Sequence, residues 1–249
     1  MSKLSSADFE TIQRLRVDFQ HRLPGCESLE EAAQLVAQIL FAEFADSLAL
    51  VRLYATLPFR ALPPADQTFV RTRAAALGVA NQITPSTIVL TLLGTQGEDA
   101  AWNRRQTSEA HRGIPLVSPE FIKAAPMIAR LLQELGITFD WGDTPQIQLS
   151  VESQANTFGV FYVPEAGAAV NEQGQHIIPA QEFVAVHQVR TVFGMASNYL
   201  FPRILLTLIL FTHEHLERST VDRFKVLPTL VIRSTTPQVT AGRLFAAGP

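Results

Sequence analysis

The chain has 249 residues, 47% of them hydrophobic and only 17% charged, with a formal net charge of -3 at pH 7. That balance can fill a sizeable core and leaves apolar surface for a partner or a second copy, while giving no electrostatic pull toward nucleic acid or an anionic membrane. The lone Cys26 excludes an internal disulfide and a cysteine-rich metal site and fits a reducing cytoplasm, and the longest strongly apolar segment, 204–211, falls well short of the roughly 20 residues that a membrane-spanning helix needs.

Residues 5–20 place Phe9, Ile12, Leu15 and Phe19 at helical spacing, with Asp8 and Glu10 near the start and Arg14 and Arg16 further along, which predicts an amphipathic helix. Pro24-Gly25 breaks it. Ser28 and Glu31 then form a capping box before a second helix, whose apolar face is Ala32, Leu35, Val36, Ile39, Leu40 and Phe44. Residues 48–57 predict a strand, apolar apart from Arg52 and Thr56 and stopped by Pro58. A helix over 65–77 follows Pro63-Pro64 and ends at Gly78, and a strand over 87–93 closes at Gly94.

Ser118-Pro119-Glu120 opens another helix, with Phe121, Ala124, Ile128, Leu131, Leu132 and Leu135 inward, Pro126 as a kink and Gly136 as its end. Strands are expected over 146–151 and 158–163, separated by the polar stretch 153–157, and residues 167–175 read as a flexible loop. Pro179 and residues 181–186 lead into two apolar strands, 189–195 and 204–211, joined by a short connection bearing Asn and Pro. A closing helix starts after Ser219 or Thr220, with Phe224, Leu227 and Val231 inward and a kink at Pro228, and the chain from Thr235 is expected to fray. With no internal repeat or linker, the reading is a single α+β domain: an antiparallel sheet of five or six strands flanked by helices over 27–234, an N-terminal amphipathic helix within 1–26 that could serve dimerisation, and a flexible tail over 235–249.

Phosphate-loop, dinucleotide, nucleophile-elbow and H-E-x-x-H motifs are all missing, so no acid, base or nucleophile can be named and an enzyme is disfavoured. Alternate residues of a strand share a side, so His213 and His215 could share a metal ion, though two ligands fall short of a site and the solvated turn expected there favours none. Trp102, Arg104, Arg105, His111 and Arg112 form a denser cluster with Asn103 and Ser108. Forked hydrogen bonds and stacking from such residues suit an anionic or aromatic ligand, and they equally suit tying down a loop. Phe161 and Tyr162, on an aromatic strand ahead of a glycine-bearing loop, are either core or pocket wall.

The pieces W-N-R-R-Q-T-S-E-A-H-R-G-I-P-L (102–116), Pro126-Met127-Ile128, F-Y-V-P-E-A (161–166), I-P-A-Q-E-F (178–183) and V-R-T-V-F-G-M (189–195) resemble a bacterial family of GAF-like sensory input domains found upstream of histidine kinase and PAS signalling modules. The resemblance covers about residues 45–232. It implies a GAF/PAS-like fold and a sensing domain whose state passes along helices to an output module; joined to the composition, the expectation is a cytoplasmic homodimer that binds a small molecule, with Trp102, Arg104, Arg105, His111, Arg112, Phe161 and Tyr162 as candidate contacts. Because no kinase-type output segment follows, the signal is expected to leave through a separate signalling protein or through dimer geometry. Where the family carries a histidine in the strand before V-P-E-A this chain has Tyr162, which weighs against a haem or metal role there, and the cofactor is left unspecified. The alternatives are a docking scaffold without a pocket and, further off, a metal-dependent hydrolase using His213 and His215.

Overall fold

The computed structural model describes residues 2–108, 111–140, 146–149 and 158–246. Among these the strands are β1 (Leu48–Pro58), β2 (Ile88–Gly97), β3 (Gly113–Leu116), β4 (Ile137–Asp140), β5 (Gln146–Leu149), β6 (Val160–Val163), β7 (Thr191–Tyr199) and β8 (Ile204–Thr212). The helices are α1 (Phe9–Arg22), α2 (Leu29–Glu43), α3 (Pro64–Ala76), α4 (Pro119–Lys123), α5 (Pro126–Glu134), α6 (Gln181–Val186), α7 (Arg218–Asp222) and α8 (Leu227–Thr240). Helix starts follow the sequence signals: the side chains of Asp8, Ser28 and Ser118 accept from the backbone N–H groups of Thr11, Glu31 and Phe121.

β1 is buried at odd and even positions alike, which requires cover on both faces. It lies inside a six-stranded antiparallel sheet of order β3-β2-β1-β8-β7-β6. Val51, Leu53, Ala55 and Leu57 of β1 join Leu206, Leu208 and Leu210 of β8 in one core with the inward faces of α1, α2 and α8. Leu50 and Tyr54, with Ile209 and Phe211, face a second core built with α4, α5 and α6. The two-residue alternation of the strands thus separates two cores across one sheet. At β2 the helix layer comes very close: a Cβ on Gly94 would land on the backbone carbonyl of Ala33 in α2.

The α+β class and the antiparallel sheet are those that the sequence predicts, with several local differences. Ile12, Leu15 and Phe19 of α1 sink into the same core as the sheet, whereas Phe9 is 76% exposed. α1 packs on α8 within the chain. The closing helix runs beyond the expected boundary at 235 to Thr240, with Thr235, Gln238 and Val239 buried. Its buried polar residues donate to acceptors inside the protein: Thr235 donates to the Val231 carbonyl at 2.7 Å, and the Gln238 amide N–H groups donate to the distant carbonyls of Leu23 and Cys26 at 3.2 and 3.0 Å. Pro228 sits in the first turn of α8, where proline fits without a kink. Residues 181–186, which lead into the final strand pair, form α6.

Residues 146–149 form β5, which pairs with β4 in a separate two-stranded sheet. The remainder of that expected strand and the polar break at 153–157 lie outside the described residues, as do 247–249 of the expected tail.

Both edges of the large sheet are closed. β3 is only four residues long and carries Pro115 opposite Val89. On β6, the Tyr162 N–H donates to Glu134 Oε2 at 2.7 Å and the Tyr162 carbonyl accepts from Arg130 Nη2 at 2.8 Å, while Arg130 and Glu134 pair with each other at 2.9 Å on α5. Among the described residues no helix is long and apolar enough to cross a membrane.

Candidate functional site

A cavity of about 540 Å³ opens on the sheet face that carries α5 and α6. Its floor is Leu50, Arg52 and Tyr54 of β1, three alternate residues of one strand, with Leu90 of β2 and Ile209 and Phe211 of β8. Met127 and Ile128 of α5 and Ile114 of β3 form a wall. Trp102, Thr107, Ser108 and His111 from the loop between β2 and β3, and Ile178, Pro179, Ala180 and Phe183 around α6, complete the rim.

The rim is held by specific contacts. Trp102 can lie against β2 because Gly97 lacks a side chain: a Cβ there would stand 2.8 Å from Trp102 Cε3 and 2.9 Å from the Ala49 carbonyl. The Trp102 ring meets Phe183 edge-on with centroids 5.3 Å apart and His187 at 4.7 Å, and Phe183 meets Phe211 at 5.5 Å. Glu98, just past β2, receives His187 Nδ1 at 2.9 Å and His213 Nε2 at 3.1 Å, so one carboxylate gathers the ends of β2, α6 and β8.

The loop that carries Trp102 and His111 is anchored from below. Arg105, 4% exposed, donates through Nε to the Leu92 carbonyl at 2.6 Å, approaches Glu30 at 3.5 Å and pairs with Asp66 of α3. Arg112 pairs with the same Asp66, which is 1% exposed. One buried carboxylate therefore serves two guanidinium groups.

The polar groups of the cavity behave differently. Arg52 is 9% exposed and has no carboxylate partner among the described residues, and its Nε has no hydrogen-bond partner. The His111 imidazole is pushed down to about 3 by burial and by the charges of Arg52 and Arg73, so it is neutral at pH 7. The Tyr54 phenol is pushed up by burial against the opposing influence of Arg52 and keeps its proton.

Of the residues singled out from the sequence, the structure brings Trp102 and His111 to the cavity. Arg104 is exposed and faces a separate groove with Glu30, Glu31 and Gln34. Arg105 and Arg112 are engaged by Asp66, the loop-tying alternative. Phe161 and Tyr162 are neighbours on β6 and so point to opposite faces. Phe161 is fully buried in the core on the cavity side, and Tyr162 donates its hydroxyl to the Leu216 carbonyl at 2.6 Å. His213 and His215 lie beyond the end of β8 at Thr212, outside the strand alternation, and meet different carboxylates, Glu98 and Glu165. Sequence reasoning missed Arg52, Tyr54 and Phe183 as cavity residues, and named Ser108 only as part of the loop cluster. The available signal was a lone arginine in mid-strand, in step with Leu50 and Tyr54.

No protein-family model matches the chain, and no curated protein does. Solved structures similar to it include one described as the structure of the GAF domain, with a TM-score of 0.47 and 10% identity, covering 94% of this chain and 92% of that one. Two more are the phycocyanobilin-bound domain from a cyanobacterial phytochrome, with a TM-score of 0.45, 8% identity and coverage of 92% and 96%, and the phycoerythrobilin-bound one, with a TM-score of 0.45, 10% identity and coverage of 95% and 98%. All three are GAF domains.

Proposed function

We propose that the chain is a cytoplasmic GAF-like sensor domain that holds a small organic molecule in the cavity between its sheet and α5–α6, and passes its state through the helices on the opposite face to a separate signalling protein. The observation that carries this reading is the cavity of about 540 Å³, mostly apolar with a few convergent polar groups, which has the size and character of small-molecule sites. A scaffold with a filled core would lack it. A ligand acts on the output only through unequal affinity for two arrangements of the helices, and β1 touches both sides. Homodimerisation belongs to the same proposal and would use the outer side of α1, where Phe9 and Val17 are exposed.

The test is a metabolite library followed by thermal shift and by the fluorescence of Trp102 in a Trp141→Phe background. Hits should quench Trp102 and lose affinity when Phe183 is changed to Ala; uniform silence in both readouts would remove the sensor reading. Sedimentation of Phe9→Asp tests the dimer, with halved mass expected and unchanged mass against it.

A further inference from the structure

Several arginine side chains in this fold, the buried Arg105 among them, are matched by a carboxylate. Arg105 and Arg112 share Asp66, Arg14 meets Glu43, Arg130 meets Glu134 and Arg218 meets Asp222. Arg52 departs from that pattern. It sits at the centre of β1, opposite Thr95 on one side and Ile209 on the other, is more than nine-tenths buried, and lines the cavity with no carboxylate beside it among the described residues. A buried charge without a partner is costly. Among the described residues the group beside it is the Tyr54 phenol, which carries no countercharge, so a ligand that brings one would be favoured there.

We propose that the cavity selects a small organic monocarboxylate with an apolar body, its carboxylate forked on the Arg52 guanidinium beside the Tyr54 and Ser108 hydroxyls. This rests on the sensor reading above and names the ligand class for that site. Arg52 is the one cationic side chain lining the cavity among the described residues, because His111 is neutral at pH 7. One planar, forked cation suits one carboxylate and undersupplies a phosphate dianion. The protonated Tyr54 phenol and Ser108 add neutral donors. The same cavity is lined by Trp102, Ile114, Met127 and Phe183, which suit an aryl or alkyl body.

The experiment uses the full chain and a panel of aryl and alkyl monocarboxylates, each beside its primary amide and a phosphate monoester of the same body, measured by calorimetry and thermal shift. The expected result is that binding acids exceed their amides and phosphates by about tenfold or more. Arg52→Met should abolish that preference while leaving the melting temperature of the ligand-free protein unchanged or raised, since it removes an unmatched charge. Arg52→Lys keeps the charge without the fork, and should weaken acids yet leave them ahead of amides. Amides that bind as well as acids, phosphates that bind best, or Arg52→Met that melts lower without losing selectivity would each overturn the ligand class while leaving the cavity reading intact. If no acid, amide or phosphate binds at all, the cavity reading fails and this inference fails with it.

Discussion

Replacing Asp66 by alanine removes one carboxylate from beneath the rim loop and leaves two guanidinium groups to be satisfied by what remains. Arg105 keeps the Leu92 carbonyl at 2.6 Å and Glu30 at 3.5 Å, so it is only partly stranded. Arg112 loses its ion pair and retains the Phe69 ring at 5.8 Å. One-sided breakage of a buried ion pair costs about 3–5 kcal/mol. The 17% exposure of the Arg112 side chain places the expected loss near the lower end, at about 3 kcal/mol. For a chain of this length that corresponds to a fall in melting temperature of about 6–12 °C. Urea unfolding followed by circular dichroism measures it. Adding Arg112→Met to Asp66→Ala should return part of the loss, because the stranded cation is then gone. A loss below about 1 kcal/mol, or one that Arg112→Met does not touch, would refute the shared-carboxylate anchor.

Further outcomes follow from other contacts. Gly94→Ala drives a methyl group into the Ala33 carbonyl and should cost about 1–3 kcal/mol by forcing α2 off β2; a neutral effect in urea unfolding would contradict that approach. Tyr199→Phe removes the 2.6 Å bond to Thr235, which keeps the Val231 carbonyl, so the loss should be about 1 kcal/mol and not several. His111 is held neutral with its pKa lowered from 6.5 to about 3, so its contribution to stability is present above pH 6.5 and is lost as pH falls toward 3, where the unfolded chain has already taken the proton. His111→Gln should therefore show a shallower acid decline than the unmodified chain over that window, and parallel declines would exclude a neutral imidazole.

Much of the fold was legible because it is written in local periodicity and punctuation. The face of Ile12, Leu15 and Phe19, the caps at Ser28 and Ser118, and the largely apolar runs of β1 and β8 each specify their element within a few residues. What stayed hidden depends on distant partners. Thr235 and Gln238 look like the start of a polar tail until the groups that satisfy them are in place, and α6 is too short for a helical period to stand out. The site followed the same division. The cluster from Trp102 to Arg112 was visible as unusual chemistry, but only Asp66, more than thirty residues upstream, decides that Arg105 and Arg112 serve the loop. Arg52 and Tyr54 were overlooked as ordinary strand residues, although their two-residue spacing puts them on one surface with Leu50.

The finished edges of the sheet restrict how copies of this chain can associate. Backbone donors and acceptors at a free strand invite another chain to continue the ladder, which is the route to templated fibres. Here a proline interrupts one border, and the Arg130–Glu134 clamp occupies the backbone of Tyr162 at the other. The two borders of the large sheet are therefore poor templates for a further strand, and copies of the chain are left to meet through other surfaces.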